Sequence, residues 1–176
     1  MTASTATGGA PLIVGLGGTL RSNSSTERAL RYCLASVQRQ GGRTKLFSGE
    51  DLNLPMYAPH ELERTPGAVE LVSALRDADA VVVGSPGYHG AVSGLVKNAL
   101  DYIEDLREDP RVYLDNTPWG CISCAFGWPT PLGVAINSAD EIWDPSGELS
   151  DTTVQSQLDL LATQLLTFAR AVWETA

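Results

Sequence analysis

Leu12-Ile13-Val14-Gly15-Leu16-Gly17-Gly18-Thr19-Leu20-Arg21-Ser22-Asn23-Ser24-Ser25-Thr26 reads as a strand, a turn and the start of a helix. Leu12–Leu16 is a short apolar, branched run ending in glycines, the pattern of a strand buried within a parallel sheet. A helical stretch follows from about Thr26 to Gln40, with Ala29, Leu30, Cys33, Leu34 and Val37 at helical spacing and Gly41-Gly42 as its stop. Between strand and helix lies a run of hydroxyls around one arginine. Thr19, Ser24, Ser25 and Thr26 can donate O–H groups, and the helix start adds backbone N–H groups and the positive end of its dipole. Arg21 supplies the forked donor that suits a phosphate. A serine that merely caps the helix explains one of these residues, not five hydroxyls and an arginine. The loop contains neither Gly-Lys-Ser/Thr nor Gly-x-Gly-x-x-Gly, which argues against a P-loop and weakens a dinucleotide-binding Rossmann reading.

Outward from this stretch, strands and helices alternate. Thr44–Phe47 is expected as a second strand, and Gly49 to Pro66, with three prolines and little periodicity, as a loop. A helix over about Gly67–Asp77 leads to Ala80–Gly84 (AVVVG), the strongest strand in the sequence, and another helix runs from about Gly94 to Leu106. Trp119–Phe126 and Leu132–Ile136 are read as the fourth and fifth strands. An amphipathic helix from about Asp151 to Val172 closes the chain, with Leu158, Leu161, Leu165, Phe168, Ala169 and Val172 on one stripe. This alternation predicts an α/β fold, a doubly wound parallel sheet with helices on both faces. Ligands of such sheets sit beyond the carboxyl ends of the strands, at the point where the strand order reverses. Residues 1–10 are expected as a flexible tail and 11–176 as one domain.

Composition sets the outer limits. A chain of 176 residues, 43% apolar and 19% charged, is ordinary for a soluble globular protein that needs no disulfide or metal to hold its core. A net charge of −9 argues against a broad nucleic-acid surface, though not against one small anion held locally. No apolar run approaches the roughly 20 residues of a membrane helix. The opening MTASTATGGA lacks the basic and hydrophobic regions of a signal peptide. With only Cys33, Cys121 and Cys124, the expected location is the reducing cytoplasm. Cys121 and Cys124 stand three apart in an expected strand and would face opposite sides, so packing is favoured over metal binding or redox chemistry.

After the third strand comes Ser85-Pro86-Gly87-Tyr88-His89-Gly90-Ala91-Val92-Ser93-Gly94-Leu95-Val96-Lys97-Asn98-Ala99-Leu100-Asp101-Tyr102. This stretch resembles the signature of the NAD(P)H-dependent FMN reductase family, Pro-x-Tyr-x-x-x-x-x-Gly-x-Leu-Lys-Asn-x-Leu-Asp, with Val96 where leucine is usual. Gly18-Thr19-Leu20-Arg21-x-x-Ser24 is similar to the same family's Gly-Ser-x-Arg-x-x-Ser, and Leu54-Pro55-Met56-Tyr57 to its Leu-Pro-x-Tyr. The resemblance runs from about Leu12 to Asp151. It implies a flavodoxin-like sheet of strand order 2-1-3-4-5, flavin mononucleotide (FMN) as cofactor, and NADPH or NADH as hydride donor. It further implies that Thr19, Arg21, Ser24 and Thr26 hold the FMN phosphate, while Pro86, Gly87, Tyr88, His89 and Gly90 wrap the isoalloxazine ring. Backbone N–H groups in a glycine-bearing loop can approach the flavin's polar edge, and Tyr88 can offer its ring. Lys97 and Asp101 are read as a surface ion pair, Asn98 as lying near a cap or an interface, and His89 as a hydrogen-bonding or packing residue rather than a proton donor. No catalytic side chain is assigned, because the flavin carries the redox chemistry.

The sequence departs from the family after the fourth strand. Phe126-Gly127-Trp128-Pro129-Thr130-Pro131 runs straight into the expected fifth strand, leaving no room for the crossover helix that parallel strands ordinarily need. The expectations are that the fifth strand pairs antiparallel, leaves the sheet, or completes a neighbouring subunit. Each bares an apolar sheet face, so a homodimer or larger assembly is expected. Trp128 either stacks on the flavin ring or, the favoured reading, plugs the gap. Two functions follow: an NAD(P)H-dependent FMN reductase that feeds a monooxygenase or reduces quinone or azo acceptors, or a shortened flavin-binding or assembly subunit with little activity.

Overall fold

The computed structural model describes residues 9–115, 117–122, 129–137 and 140–175. Five strands form one sheet: β1 (Leu12–Gly17), β2 (Arg43–Phe47), β3 (Ala80–Gly84), β4 (Trp119–Ile122) and β5 (Pro129–Val134). Their order is 2-1-3-4-5, and every adjacent pair runs parallel. The helices are α1 (Ser25–Arg39), α2 (Pro66–Asp77), α3 (Gly94–Asp101) and α4 (Thr152–Thr175). This is the flavodoxin-like α/β arrangement that the alternation and the resemblance predicted.

Burial follows the pleat. On one face Ile13, Ala80 and Val82 pack with Leu30, Leu34 and Val37 of α1 and Leu158, Leu161 and Leu165 of α4. On the other, Val14, Leu16, Val81 and Val83 pack with Leu71 and Leu75 of α2 and Val96 and Ala99 of α3. β1 and β3 are apolar throughout because both their faces are covered. The stripe on α4 holds at Leu158, Leu161, Leu165 and Ala169, but Phe168 stands at its edge and is 38% exposed; Ala162 and Leu166 fill the core instead. The expected third helix divides: α3 ends at Asp101 and the chain tightens into a 3₁₀ turn over Tyr102–Leu106. A 3₁₀ turn over Gly49–Leu52 interrupts the expected loop after β2.

The fifth strand corrects the sequence reading. It neither pairs antiparallel nor leaves the sheet; it lies parallel to β4, with Trp119 opposite Pro129, Cys121 opposite Gly133 and Ile122 opposite Val134. Only residues 123–128, outside the described ones, link the two strands. Six extended residues reach about 20 Å, and a four-residue strand is roughly 13 Å long, so the chain can return without a helix. β5 also begins three residues earlier than expected and includes both prolines. An edge strand with a shifted register tolerates them, since it owes hydrogen bonds on one side only. In the shifted stretch the Leu132 N–H turns away and donates to Gln164 Oε1 of α4 at 3.1 Å. Where the missing helix would have covered the sheet, β5 exposes Pro131 and Gly133, while Cys121 is buried and Trp119 half-buried against the second core. The bare face is therefore less apolar than expected.

Candidate flavin site

The site begins where β1 and β3 end. A Cβ on Gly17 would stand 1.8 Å from the Gly84 carbonyl oxygen, so only glycine allows this approach. Just beyond it, Gly18 N donates to the same oxygen at 3.1 Å. From this tie the two loops part, one into α1 and the other into α3, at the reversal of strand order, where doubly wound sheets bind ligands in the crevice between such loops.

The first loop is folded by its own hydroxyls. Arg21 N donates to Thr19 Oγ1 at 3.2 Å, and Asn23 takes a left-handed conformation (φ 54°) that asparagine tolerates. Ser24 caps α1, its Oγ accepting from Glu27 N at 3.2 Å. Ser24 is thus the capping serine that the bland reading allowed. The N–H groups of Ser25 and Thr26, in the first turn of α1, have no acceptor among the described residues, and neither do their hydroxyls a partner. The exposed guanidinium of Arg21 likewise has no hydrogen-bond or ion-pair partner among the described residues. Thr26 sets its methyl toward Gly84, which pins the head of α1 to the end of β3. The loop therefore offers free donors, a free cation and a helix dipole at one place.

The second loop is closed at its base by Ser85, which is fully buried. Its Oγ accepts from Ser93 N at 2.8 Å and donates to the Pro86 carbonyl at 3.0 Å. Ser93 then caps α3 by accepting from Val96 N. Between these anchors Tyr88–Gly90 forms a 3₁₀ turn, with His89 (φ 52°) and Gly90 (φ 78°) left-handed. A Cβ on Gly87 or Gly90 would meet nothing within 4 Å, so internal packing does not require glycine at either position. Gly87 has an ordinary φ of −82°, and its missing side chain matters only to something approaching from outside. The N–H groups of Gly87, Tyr88 and His89 have no acceptor among the described residues. Tyr88 is 59% exposed. His89 was expected to pack or hydrogen-bond; it is exposed, and its imidazole has no partner among the described residues.

A third wall was missed in the sequence reading. Ser48 and Gly49, at the end of β2, lie against Gly18 and Thr19, and the chain continues through Leu54–Tyr57 to α3. Lys97 and Asp101 do pair at the surface. Asn98 is not at a cap or an interface: it is buried, donates to the carbonyls of Leu54 (3.2 Å) and Pro55 (2.9 Å), and accepts from Tyr57 N (2.8 Å). The Tyr102 hydroxyl donates to the Pro55 carbonyl as well, at 3.0 Å. Farther along, Arg64 grips Asp105 with two nitrogens at 2.7 and 2.8 Å, and the Tyr57 hydroxyl donates to the same carboxylate. The Arg64 hydrogen bonds hold the Asp105 carboxyl below its ordinary range, and burial together with Asp105 pushes the Tyr57 phenol up. The recurrence of Leu54-Pro55-x-Tyr57 with a downstream Asn98 carried this signal, but sequence spacing does not show that one binds the other.

Cys124, Gly127 and Trp128 lie outside the described residues, as do residues 1–8 of the expected tail. Cys33 and Cys121 are buried, and burial beside Asp159 pushes the Cys33 thiol up to about 12. Among the described residues no group of His, Cys, Asp and Glu is able to hold a metal ion, and no helix is long and apolar enough to cross a membrane.

Residues 11–130 match the family described as NADPH-dependent FMN reductase. An NADPH azoreductase of Bacillus sp. is 40% identical over 79 residues, covering 37% of this chain and 44% of that protein. An FMN-dependent NADPH-azoreductase of Staphylococcus saprophyticus is 28% identical over 57% of this chain and 61% of its own length. One of Staphylococcus aureus is 24% identical over 86% of this chain and 91% of its own. The chain thus spans about half the length of the first two relatives and most of the third. Among solved structures, the flavoenzyme FerB of Paracoccus denitrificans superposes with a TM-score of 0.64, covering 92% of this chain and 98% of that one at 16% identity, which shows a shared fold. Sequence match, strand order and paired carboxyl-end loops agree: the chain belongs to the NADPH-dependent FMN reductase family, whose members are flavin- and nicotinamide-using oxidoreductases.

Proposed function

We propose that this chain seats FMN between the loop Thr19–Thr26 and the loop Pro86–Gly90, takes hydride from NADPH, and delivers the electrons to a quinone- or azo-type acceptor. The observation that carries this reading is the set of unsatisfied donors around the crevice: the N–H groups of Ser25, Thr26, Gly87, Tyr88 and His89, and the guanidinium of Arg21. The first-turn N–H groups of α1 have no intrahelical acceptor, and the three further N–H groups in the loop after the neighbouring strand β3 add to them; such a set suits an anionic ligand with a polar edge. Thr19, Arg21, Ser24, Ser25 and Thr26 are assigned to the phosphate, and Pro86, Gly87, Tyr88, His89 and Gly90 to the ring. Ser24 already caps α1 through an accepted bond, which leaves its own O–H proton available to donate. When bound, FMN supplies the two-electron chemistry, and the protein supplies position and charge. Free N–H groups near the ring stabilise the negative charge that reduction brings.

The names of the relatives favour direct transfer to an acceptor over release of reduced flavin to a monooxygenase. A homodimer fits the exposed Leu160 and Phe168 on α4 and the exposed Val112 and Tyr113 before β4. The buried, unoxidised Cys33 thiol fits a cytoplasmic location. The deciding test is direct. Purified protein titrated with FMN should quench its fluorescence, then consume NADPH only when FMN is present. Protein that leaves FMN fluorescence unchanged and NADPH unconsumed is an assembly subunit or a fold without the activity. Light scattering should give twice the chain mass, and a monomer refutes the dimer.

A further inference from the structure

Inside the segment that Asn98, Tyr102 and Arg64 fix so closely, one side chain is left out in solvent. Met56 is 80% exposed, although its neighbours Leu54 and Tyr57 are both partly buried and packed on the second core. An irregular stretch held by this many side-chain bonds is more often a working wall than a connector. Its position says which wall. It starts at Ser48 and Gly49 against the first loop and ends on α3, whose cap, Ser93, is bound by Ser85 at the base of the second loop. The loops after β1, β2 and β3 all carry large exposed apolar side chains, Leu20 at 51%, Met56 and Leu62 (91%), and Tyr88 at 59%; of the two in the second loop, only Met56 lies within the stretch that Asn98 holds.

The geometry points to Met56, positioned by Asn98, as a wall of the acceptor pocket, selecting a planar apolar acceptor that lies against its thioether. This rests on the reading that FMN occupies the crevice. A thioether on a flexible unbranched stem packs well against aromatic faces of varied shape, and it suits a site for several acceptors. Asn98 serves as a positioning residue. Its two donated bonds fix the carbonyls on either side of the Leu54–Pro55 bond, and its accepted bond fixes the residue after Met56. The Met56 side chain itself makes no bond that folding needs.

The test uses the FMN-loaded full chain with methyl red, an azo compound that is not reduced when NADPH is withheld. Equilibrium binding of methyl red should weaken about 5- to 10-fold in Met56→Ala, as expected for losing a thioether's contact area. Met56→Leu, similar in volume, should restore most of it. With NADPH present, KM for methyl red should rise by the same factor while kcat stays within about twofold. Asn98→Asp keeps the acceptor for Tyr57 N–H but loses both donated bonds, and should raise KM in the same direction with Met56 intact. Should that variant fail to fold, Met56→Ala decides alone, since its side chain is almost wholly in solvent. Methyl red binding unchanged in Met56→Ala overturns the inference while leaving the flavin site standing; wild-type protein that binds no FMN overturns both.

Discussion

Replacing Arg21 with alanine separates ligand binding from folding with unusual clarity. The guanidinium is exposed and has no partner among the described residues, so its loss should leave thermal stability within about 0.5 kcal/mol of wild type, as for an ordinary surface change. Its whole effect should fall on the ligand. A hydrogen bond to a charged group contributes about 1.5–3 kcal/mol, which is roughly a 10- to 150-fold rise in the Kd for FMN. The exposed setting places the expected value in the lower half at physiological salt and moves it upward as salt is diluted. Riboflavin supplies the control, because it keeps the ring and lacks the phosphate. Fluorescence titrations of both flavins against both proteins form a cycle in which Arg21→Ala weakens FMN and leaves riboflavin within twofold. An equal loss for the two flavins, or no loss for FMN, refutes the pairing of Arg21 with the phosphate.

Four further outcomes follow from the same geometry. Gly17→Ala puts a methyl 1.8 Å from the Gly84 carbonyl at a φ of 148°, and should cost more than about 4 kcal/mol or prevent folding, read by urea denaturation. Asp105 has its carboxyl lowered chiefly by Arg64, so the unfolded chain takes up the proton first on acidification. Its stabilisation is complete above the ordinary carboxylate range and fades as pH falls through the lowered native value, so the gap in urea midpoint between wild type and Asp105→Asn should be wide at pH 7 and shrink steadily as pH falls below the ordinary carboxylate range. Gln164→Leu strands the Leu132 N–H at the edge of β5 and should destabilise by about 1–3 kcal/mol, measured by thermal melting. Cys33, its thiol pushed up to about 12, should resist thiol reagents at pH 8 until the protein is unfolded in urea.

What the sequence disclosed and what it withheld have physical causes. β3 was legible residue for residue because AVVVG is buried on both faces, where the pattern needs no partner to be understood. The two carboxyl-end loops stand out because hydroxyls, arginine and glycines cluster locally, and they follow β1 and β3, which are neighbours in the sheet. β5 was misplaced because its start depends on a register shift and on Gln164, a residue more than 30 positions downstream that takes over the Leu132 N–H. A rule about crossover length also proved weaker than simple chain reach. Phe168 fell on the helical stripe but not in the core, because α4 turns Ala162 and Leu166 toward α1 and the sheet instead. Asn98 showed its residue type but not its office. A buried amide can satisfy any nearby backbone, and only the fold brings it within 3 Å of a segment more than 40 residues upstream.

The two prolines of β5 bear on self-association. An outermost strand with free N–H and C=O groups is a template on which another chain's strand can add, the usual opening step of aggregation. Pro129 and Pro131 remove donors from that border, and the offset near them spoils the flat ladder an incoming strand would need. At the opposite border, β2 carries Arg43 and Lys45, whose charges would lose hydration beneath a docking strand. Both margins of the sheet are thus closed to growth.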